Sequence, residues 1–186
     1  MLMLQSFIDD FDEKMKDRAW YWYIPLAFIM IFLFKQMLMN EGHSSIFSGM
    51  NLGIHESGHL LLCFKEGFLC SAAGTIFQLL APLLALFLLF RQREYFGIPF
   101  CWLWFASSLF EVTDYISDSQ TMALPLVSVD GGDVTHDWNS ILNTLGLLKY
   151  DTLIGKIVLF LALIVAIDAL SLCFYMIYRI RKAQNV

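Results

Sequence analysis

Charge is scarce in this chain. Only 16% of its 186 residues are Asp, Glu, Lys or Arg, while 58% are hydrophobic and 16% aromatic, and mean hydropathy is +0.62. Soluble domains carry about 25% charged residues, so an ordinary soluble composition is excluded and an integral membrane protein is expected. Positive charge is the scarcer sign, with 12 Lys and Arg against 17 Asp and Glu. The net charge of -5, with no basic stripe carrying interleaved aromatics, argues against a nucleic-acid partner. Cysteine is sparse too. Cys63, Cys70, Cys101 and Cys173 lie in or beside apolar runs without C-x-x-C spacing. That pattern reads as small buried hydrophobes rather than a disulfide framework or a zinc-finger site. No internal repeat or low-complexity tract is evident, and no A-x-A site follows the first apolar run. The first span is therefore expected to remain as an anchor, and the length suits a single transmembrane domain over residues 1–186.

What is abundant is apolar helix. In residues 1–18, Leu4, Phe7, Ile8, Phe11 and Met15 recur at spacings of three and four, as in an amphipathic helix on the membrane surface, with a solvated leader as the alternative. Apolar runs then cover 20–39, 46–64, 71–90, 98–116 and 153–178, with Trp20, Tyr21, Trp22 and Tyr23 as an aromatic belt at the start of the first. The expectation is an all-α polytopic bundle of about five membrane segments in a lipid bilayer. Residues 119–152 form its one long extramembrane loop. Five spans put Arg91, Arg93 and the basic tail 179–182 on one side, cytoplasmic by the positive-inside rule, and the start of the chain on the other.

The chemistry concentrates in the second run. His55-Glu56-Ser57-Gly58-His59 is an H-E-x-x-H pattern, which on a helix stacks both imidazoles on one face. Two nitrogens at that separation can share a Zn²⁺, and Glu56 follows the first of them as candidate general base. An accidental pairing of two histidines is the bland reading. Against it stands the apolar setting, where uncompensated polar groups are costly and a cation compensates them. Candidates for the remaining ligands are His136 first and Asp118 second, with Glu111, Asp114, Asp137 and Asp130 behind them.

Other polar residues fall in or beside the apolar runs. Glu111, Asp114, Tyr115 and Asp118 share a helical face at the end of the fourth run, as a solvated strip or as acids that need a cation or shared protons among them. Gln78 is either interhelical glue or a neighbour of substrate or metal ligand. Asp137 follows His136 and is suited to orient it. His43 reads as a loop histidine. Asp168 is a lone acid inside the last run, a functional candidate or the partner of another helix's polar group.

On His55-Glu56-Ser57-Gly58-His59 in an apolar helix, the chain resembles the membrane-embedded zinc metalloproteases of the site-2-protease type. The run 125–132, with Asp130-Gly131-Gly132, is similar to that family's Pro-rich L-D-G motif, whose aspartate is the third zinc ligand; Met122 stands where the family usually has asparagine. The layout also resembles a group of small bacterial membrane proteins carrying H-E-x-G-H, a G-T-x-x-Q-like helix, an acidic Tyr-containing helix end, Leu-Pro-Leu and His-Asp-Trp. Their counterparts here include Gly74, Gln78, Glu111, Tyr115, Asp118, His136, Asp137 and Trp138. That likeness implies a metal site built from His55, His59, His136 and an acid, in a bacterial inner membrane. The resulting expectation is a zinc-dependent hydrolase, a peptidase first, acting on a membrane protein or a lipid-like substrate. Alternatives are a metal transporter or sensor, and a structural subunit that keeps a metal site.

Overall fold

The structure is a computed structural model that describes residues 2–15, 19–64, 67–125 and 136–184. Among them are seven α-helices: α1 (Leu2–Met15), α2 (Tyr23–Met39), α3 (Ser48–Leu62), α4 (Phe68–Arg91), α5 (Ile98–Ser117), α6 (Asp137–Thr144) and α7 (Asp151–Gln184). No strand occurs among the described residues, so the chain is an all-α bundle. Four helical stretches are long and apolar enough to cross a membrane: Trp20–Met39, Phe68–Arg91, Tyr95–Ser117 and Leu148–Gln184. Their outer faces are apolar, with Phe28, Phe32, Leu84, Phe87, Phe160 and Ile167 exposed, as in an integral membrane protein whose solvent is lipid.

The expected second span is absent. Helix α3 has 15 residues, about 22 Å at 1.5 Å per residue, too short for a hydrocarbon core of about 30 Å. It is re-entrant instead. His43 Nδ1 lies 2.7 Å from Asp114 Oδ2 near the end of α5, whereas Phe47 packs on Phe100 and Trp104, ten and more residues back along that helix. The chain therefore dives into the bundle after α2, then climbs back along α3. Its climb is antiparallel to α4, since His59 meets Cys70, Gly58 meets Ala73 and His55 meets Gln78. Non-helical backbone at membrane depth must find its partners inside the protein. Here Ser45 and Ser48 supply them: the Phe47 N–H donates to Ser45 Oγ, the Ser45 N–H to Ser48 Oγ, and Ser45 Oγ meets Ser107 Oγ at 3.1 Å.

Helix α7 packs along α5 through small residues. Gly155, Ala162, Ala166, Ala169, Cys173, Met176 and Ile180 repeat at spacings of seven, four and three and are all buried. That is a coiled-coil-like seam on which two backbones approach closely. A Cβ on Gly155 would meet Ser117 Oγ and the Thr113 carbonyl, which runs α7 antiparallel to α5.

With four spans rather than five, both described ends of the chain lie together. Asp10 in α1 accepts a short hydrogen bond from Tyr95 and pairs with Arg93, Asp12 pairs with Arg179, and Arg181 covers the Trp20 ring. The start of the chain is thus on the side of the basic tail, opposite to the expectation. In α1, Phe11 and Met15 are buried as its periodicity predicts; the side chains of Leu4, Phe7 and Ile8, like Asp130, lie outside the described residues.

Candidate metal centre

Helix α3 presents His55 and His59 on the face toward α4 because four residues make just over one turn. Close approach of the two helices requires glycine at two places. A Cβ on Gly58 would lie 2.5 Å from the Ala73 carbonyl oxygen, and one on Gly74 would lie 2.3 Å from His55 Nε2. The third participant comes from α6. His136 caps that helix, its Nδ1 accepting the Asn139 N–H at 3.1 Å, and Asp137 then begins it and turns inward. Asp137 Oδ2 lies 3.1 Å from His55 Nε2 and 3.1 Å from His59 Nε2. The side chains of His55 and Asp137 are about nine-tenths buried, that of His59 22% exposed.

The outer nitrogens of both rings are committed. Gln78 donates its amide N–H to Glu111 Oε2 at 3.0 Å, which leaves its Oε1 facing His55 Nδ1 at 3.1 Å. The Cys70 backbone carbonyl, which only accepts, lies 3.0 Å from His59 Nδ1. Both Nδ1 atoms therefore donate, and each neutral ring turns its Nε2 lone pair toward the Asp137 oxygen. Three acceptors, all within 4.8 Å of one another, converge on one point. Such a group needs positive charge at its centre, as a proton on an imidazole or as a cation. One carboxylate and two tautomer-fixed imidazoles are a donor set that suits Zn²⁺.

The electrostatics follow. Burial pushes the Asp137 carboxyl up, but the hydrogen-bonded imidazoles of His55 and His59 outweigh it and hold the carboxyl below the usual aspartate value. His59 is raised above the usual 6.5, chiefly by Asp137 and against burial, with a further push from the Glu56 charge. Glu56 itself is partly buried and makes no hydrogen bond or ion pair among the described residues, so its carboxylate stands beside the group uncommitted.

Tyr115 braces Asp137. Its hydroxyl accepts the Asp137 N–H at 3.1 Å and donates to Asp137 Oδ2 at 3.2 Å. Behind His55, Glu111 is the hub of a buried network. It accepts from Ser48 at 2.7 Å, from Asn51 at 2.8 Å and from Gln78, while Trp104 donates to Asn51 Oδ1 and so fixes that amide's orientation. Trp138 Nε1 donates to Thr75 Oγ1 at 3.2 Å and seats α6 on α4.

No family model, curated protein or solved structure matches this chain. The geometry alone therefore decides which candidates belong together.

It replaces the leading candidates. His136 does not join His55 and His59: its Nδ1 caps α6, its ring packs on Tyr115, and its buried Nε2 faces Asp118 Oδ2 at 3.4 Å. Asp118 is spent on the loop after α5, accepting from Thr121 Oγ1 and from the backbone N–H groups of Ala123 and Leu124. Burial alone would raise its carboxyl, yet those donors hold it below the ordinary value. The roles expected of the adjacent pair are exchanged, with Asp137 in the group and His136 behind it. The acidic strip is likewise divided, with Glu111 on the amides, Asp114 on His43 and Asp118 on the loop. Asn51, Ser48, Trp104 and the Cys70 carbonyl were not foreseen; polar residues recurring every three or four positions beside an H-E-x-x-H turn are the signal for the first two.

Two cysteines also depart from expectation. Cys63 and Cys70 form a disulfide across the turn between α3 and α4, while Cys101 and Cys173 are free. A separation of seven residues is uninformative in sequence, but an antiparallel helix pair brings those positions together. Asp168 does find a polar group on another helix, the Trp102 indole N–H at 2.8 Å.

Proposed function

We propose that this chain is a membrane-embedded metal-dependent hydrolase, a peptidase in the first instance, in which His55, His59 and Asp137 hold a zinc ion. The observation that carries this reading is the convergence of three acceptor atoms whose orientations are fixed from behind. When bound, the ion supplies a Lewis acid and lowers the pKa of water to about 7. Glu56 is the general base, because it follows the first ligand and carries no competing hydrogen bond among the described residues. Tyr115 orients Asp137, and the pair formed by Gln78 and Glu111 orients His55.

The partial exposure of His59 and the free Glu56 carboxylate leave one edge of the group open. Set among apolar helices, that edge favours a substrate arriving through the bilayer, either a transmembrane peptide or a lipid amide or ester. The resemblance to site-2-protease-type enzymes points the same way, and the likeness to small bacterial membrane proteins suggests a bacterial inner membrane. A transport role is less well supported, since Glu111, Asp114 and Asp118 are each engaged by separate partners.

Glu56→Gln is the direct test. The variant is expected to keep its zinc and lose hydrolysis of fluorogenic transmembrane peptides and ester lipids, by roughly the 10²–10⁴-fold of a general base. Hydrolysis unchanged in Glu56→Gln contradicts the assignment.

A further inference from the structure

Each zinc-facing imidazole is anchored from behind, but by different means. His55 leans on Gln78 and Glu111, which are held by interlocking helices. His59 leans on the first turn of α4, which has no side-chain cap at its start and is reached through Gly67 at φ 145°. What closes that corner is covalent. The Cys63 N–H donates to the His59 carbonyl at 2.8 Å, Cys63 is bonded to Cys70, and the Cys70 carbonyl accepts from His59 Nδ1 at 3.0 Å. Backbone, disulfide and imidazole thus form a closed ring that begins and ends at His59.

The bridge also lies at a definite end of the bundle. Lys14, Arg91, Arg93, Arg179, Arg181 and Lys182 gather where α1, the turn after α4 and the end of α7 meet. Cys63 and Cys70 are at the other end of α4, 21 residues from Arg91 along a 24-residue helix for the nearer of them. Positive residues mark the cytoplasmic side, and disulfides persist on the oxidising side. The larger share of the positive charge and the disulfide fall on opposite ends, with Lys35, Lys149 and Lys156 toward the disulfide end. His55 faces Gly74 and Gln78, six and ten residues below the start of α4, about 9 and 15 Å by helical rise. The group therefore sits within the leaflet on the disulfide side.

We propose that the Cys63–Cys70 disulfide is the positioning element of His59, so that the metal group is completed only after the hairpin reaches the oxidising, non-cytoplasmic side of the membrane. This rests on the metal-binding reading above and adds its location and its control. Closing the bridge removes two electrons and two protons from the two thiols, and a disulfide-donating oxidant of that compartment takes them up. Without the bridge no covalent link holds the Cys70 carbonyl against His59, and the packing of α4 on α3 is all that keeps the ring's partner in place.

The test is zinc affinity by competition with a chromophoric chelator, on the full chain in lipid discs. Three samples are compared: oxidised wild type, the Cys63→Ser/Cys70→Ser variant, and wild type folded first, then reduced and alkylated so that its thiols cannot bind the metal. Loss of a partner behind a metal ligand weakens binding about 10–100-fold, and both modified samples are expected to show that loss. Equal affinity in all three overturns the positioning role and leaves the metal site intact. Wild type that binds no zinc in either redox state overturns the metal reading and this proposal with it. Location is read separately in a chain carrying Cys101→Ala and Cys173→Ala. After mild reduction of intact cells, a membrane-impermeant maleimide is expected to label Cys63 and Cys70; labelling that requires permeabilised cells overturns the orientation.

Discussion

Helix α5 has two faces, and they are built by opposite rules. Against α7 it meets small apolar residues, with Ala162, Ala166, Ala169 and Cys173 all fully buried. Against the α3–α4 hairpin and α6 it presents Trp104, Ser107, Ser108, Glu111 and Tyr115, all five engaged in hydrogen bonds. In lipid, apolar burial does not drive helices together, so the first face is held by close packing of small side chains. The second carries polar groups whose desolvation is repaid only if each finds a partner. One face is therefore tolerant of function and needs only volume; the other has every donor assigned and is where chemistry is placed.

The glycines separate the two faces most sharply. Gly74→Ala places a methyl group on the His55 imidazole itself, so the ring must rotate away and zinc binding is expected to fall more than about 100-fold, beyond the effect of losing one orienting partner. Gly155→Ala meets Ser117 Oγ, the end of a short rotatable side chain, and a carbonyl at 3.2 Å. A loss of stability within the overpacking range of about 1–3 kcal/mol is expected there, read by thermal unfolding in detergent, with zinc affinity unchanged. If both variants lose zinc equally, the division between the faces is wrong.

Next in size come the orienting residues. Gln78→Ala leaves His55 Nδ1 without its acceptor and Glu111 with two donors instead of three, and zinc affinity should drop about 10–100-fold. A variant that loses stability yet keeps its affinity would make this network structural only.

Proton competition sharpens the same point. His59 is raised above 6.5, so in the metal-free protein its stabilising contact with Asp137 is complete below 6.5 and lost as pH rises through the elevated value. Asp137 is depressed below 3.8, so its contribution is present above 3.8 and lost only as pH falls through its lowered value. Zinc must displace the His59 proton. Its affinity should begin to fall at a pH above 6.5 on acidification, earlier than for an ordinary imidazole site. A pH titration of zinc binding that is flat down to 6.5 contradicts the geometry. Ala166→Leu, on the other face, is expected to lower stability by about 1–3 kcal/mol, like Gly155→Ala, and leave zinc binding alone.

Much of this was legible before any fold was known. Apolar runs announced the bundle, and the period of the helix put His55 and His59 together because both lie on one element. Asp137 was visible as a candidate but ranked behind His136. Sequence displays the adjacent pair without showing which one the start of α6 would turn inward, and that depends on His136 capping the helix. The re-entrant hairpin read as a span because apolar residues flank its polar centre on both sides; the contacts of Phe47 and His43 with α5 reveal its depth. Because α3 turns back instead of crossing, the start of the chain lies on the same side as the basic tail. The disulfide escaped because it depends on that same antiparallel hairpin.

The central claim is that two imidazoles and one carboxylate, brought together from α3 and α6, hold a divalent cation. Elemental analysis of the purified chain beside His55→Ala and Asp137→Ala, each checked for retained helicity, tests it most directly. The account predicts stoichiometric zinc in the wild type and none in either variant. Zinc retained in Asp137→Ala, or no metal in the wild type, would contradict it.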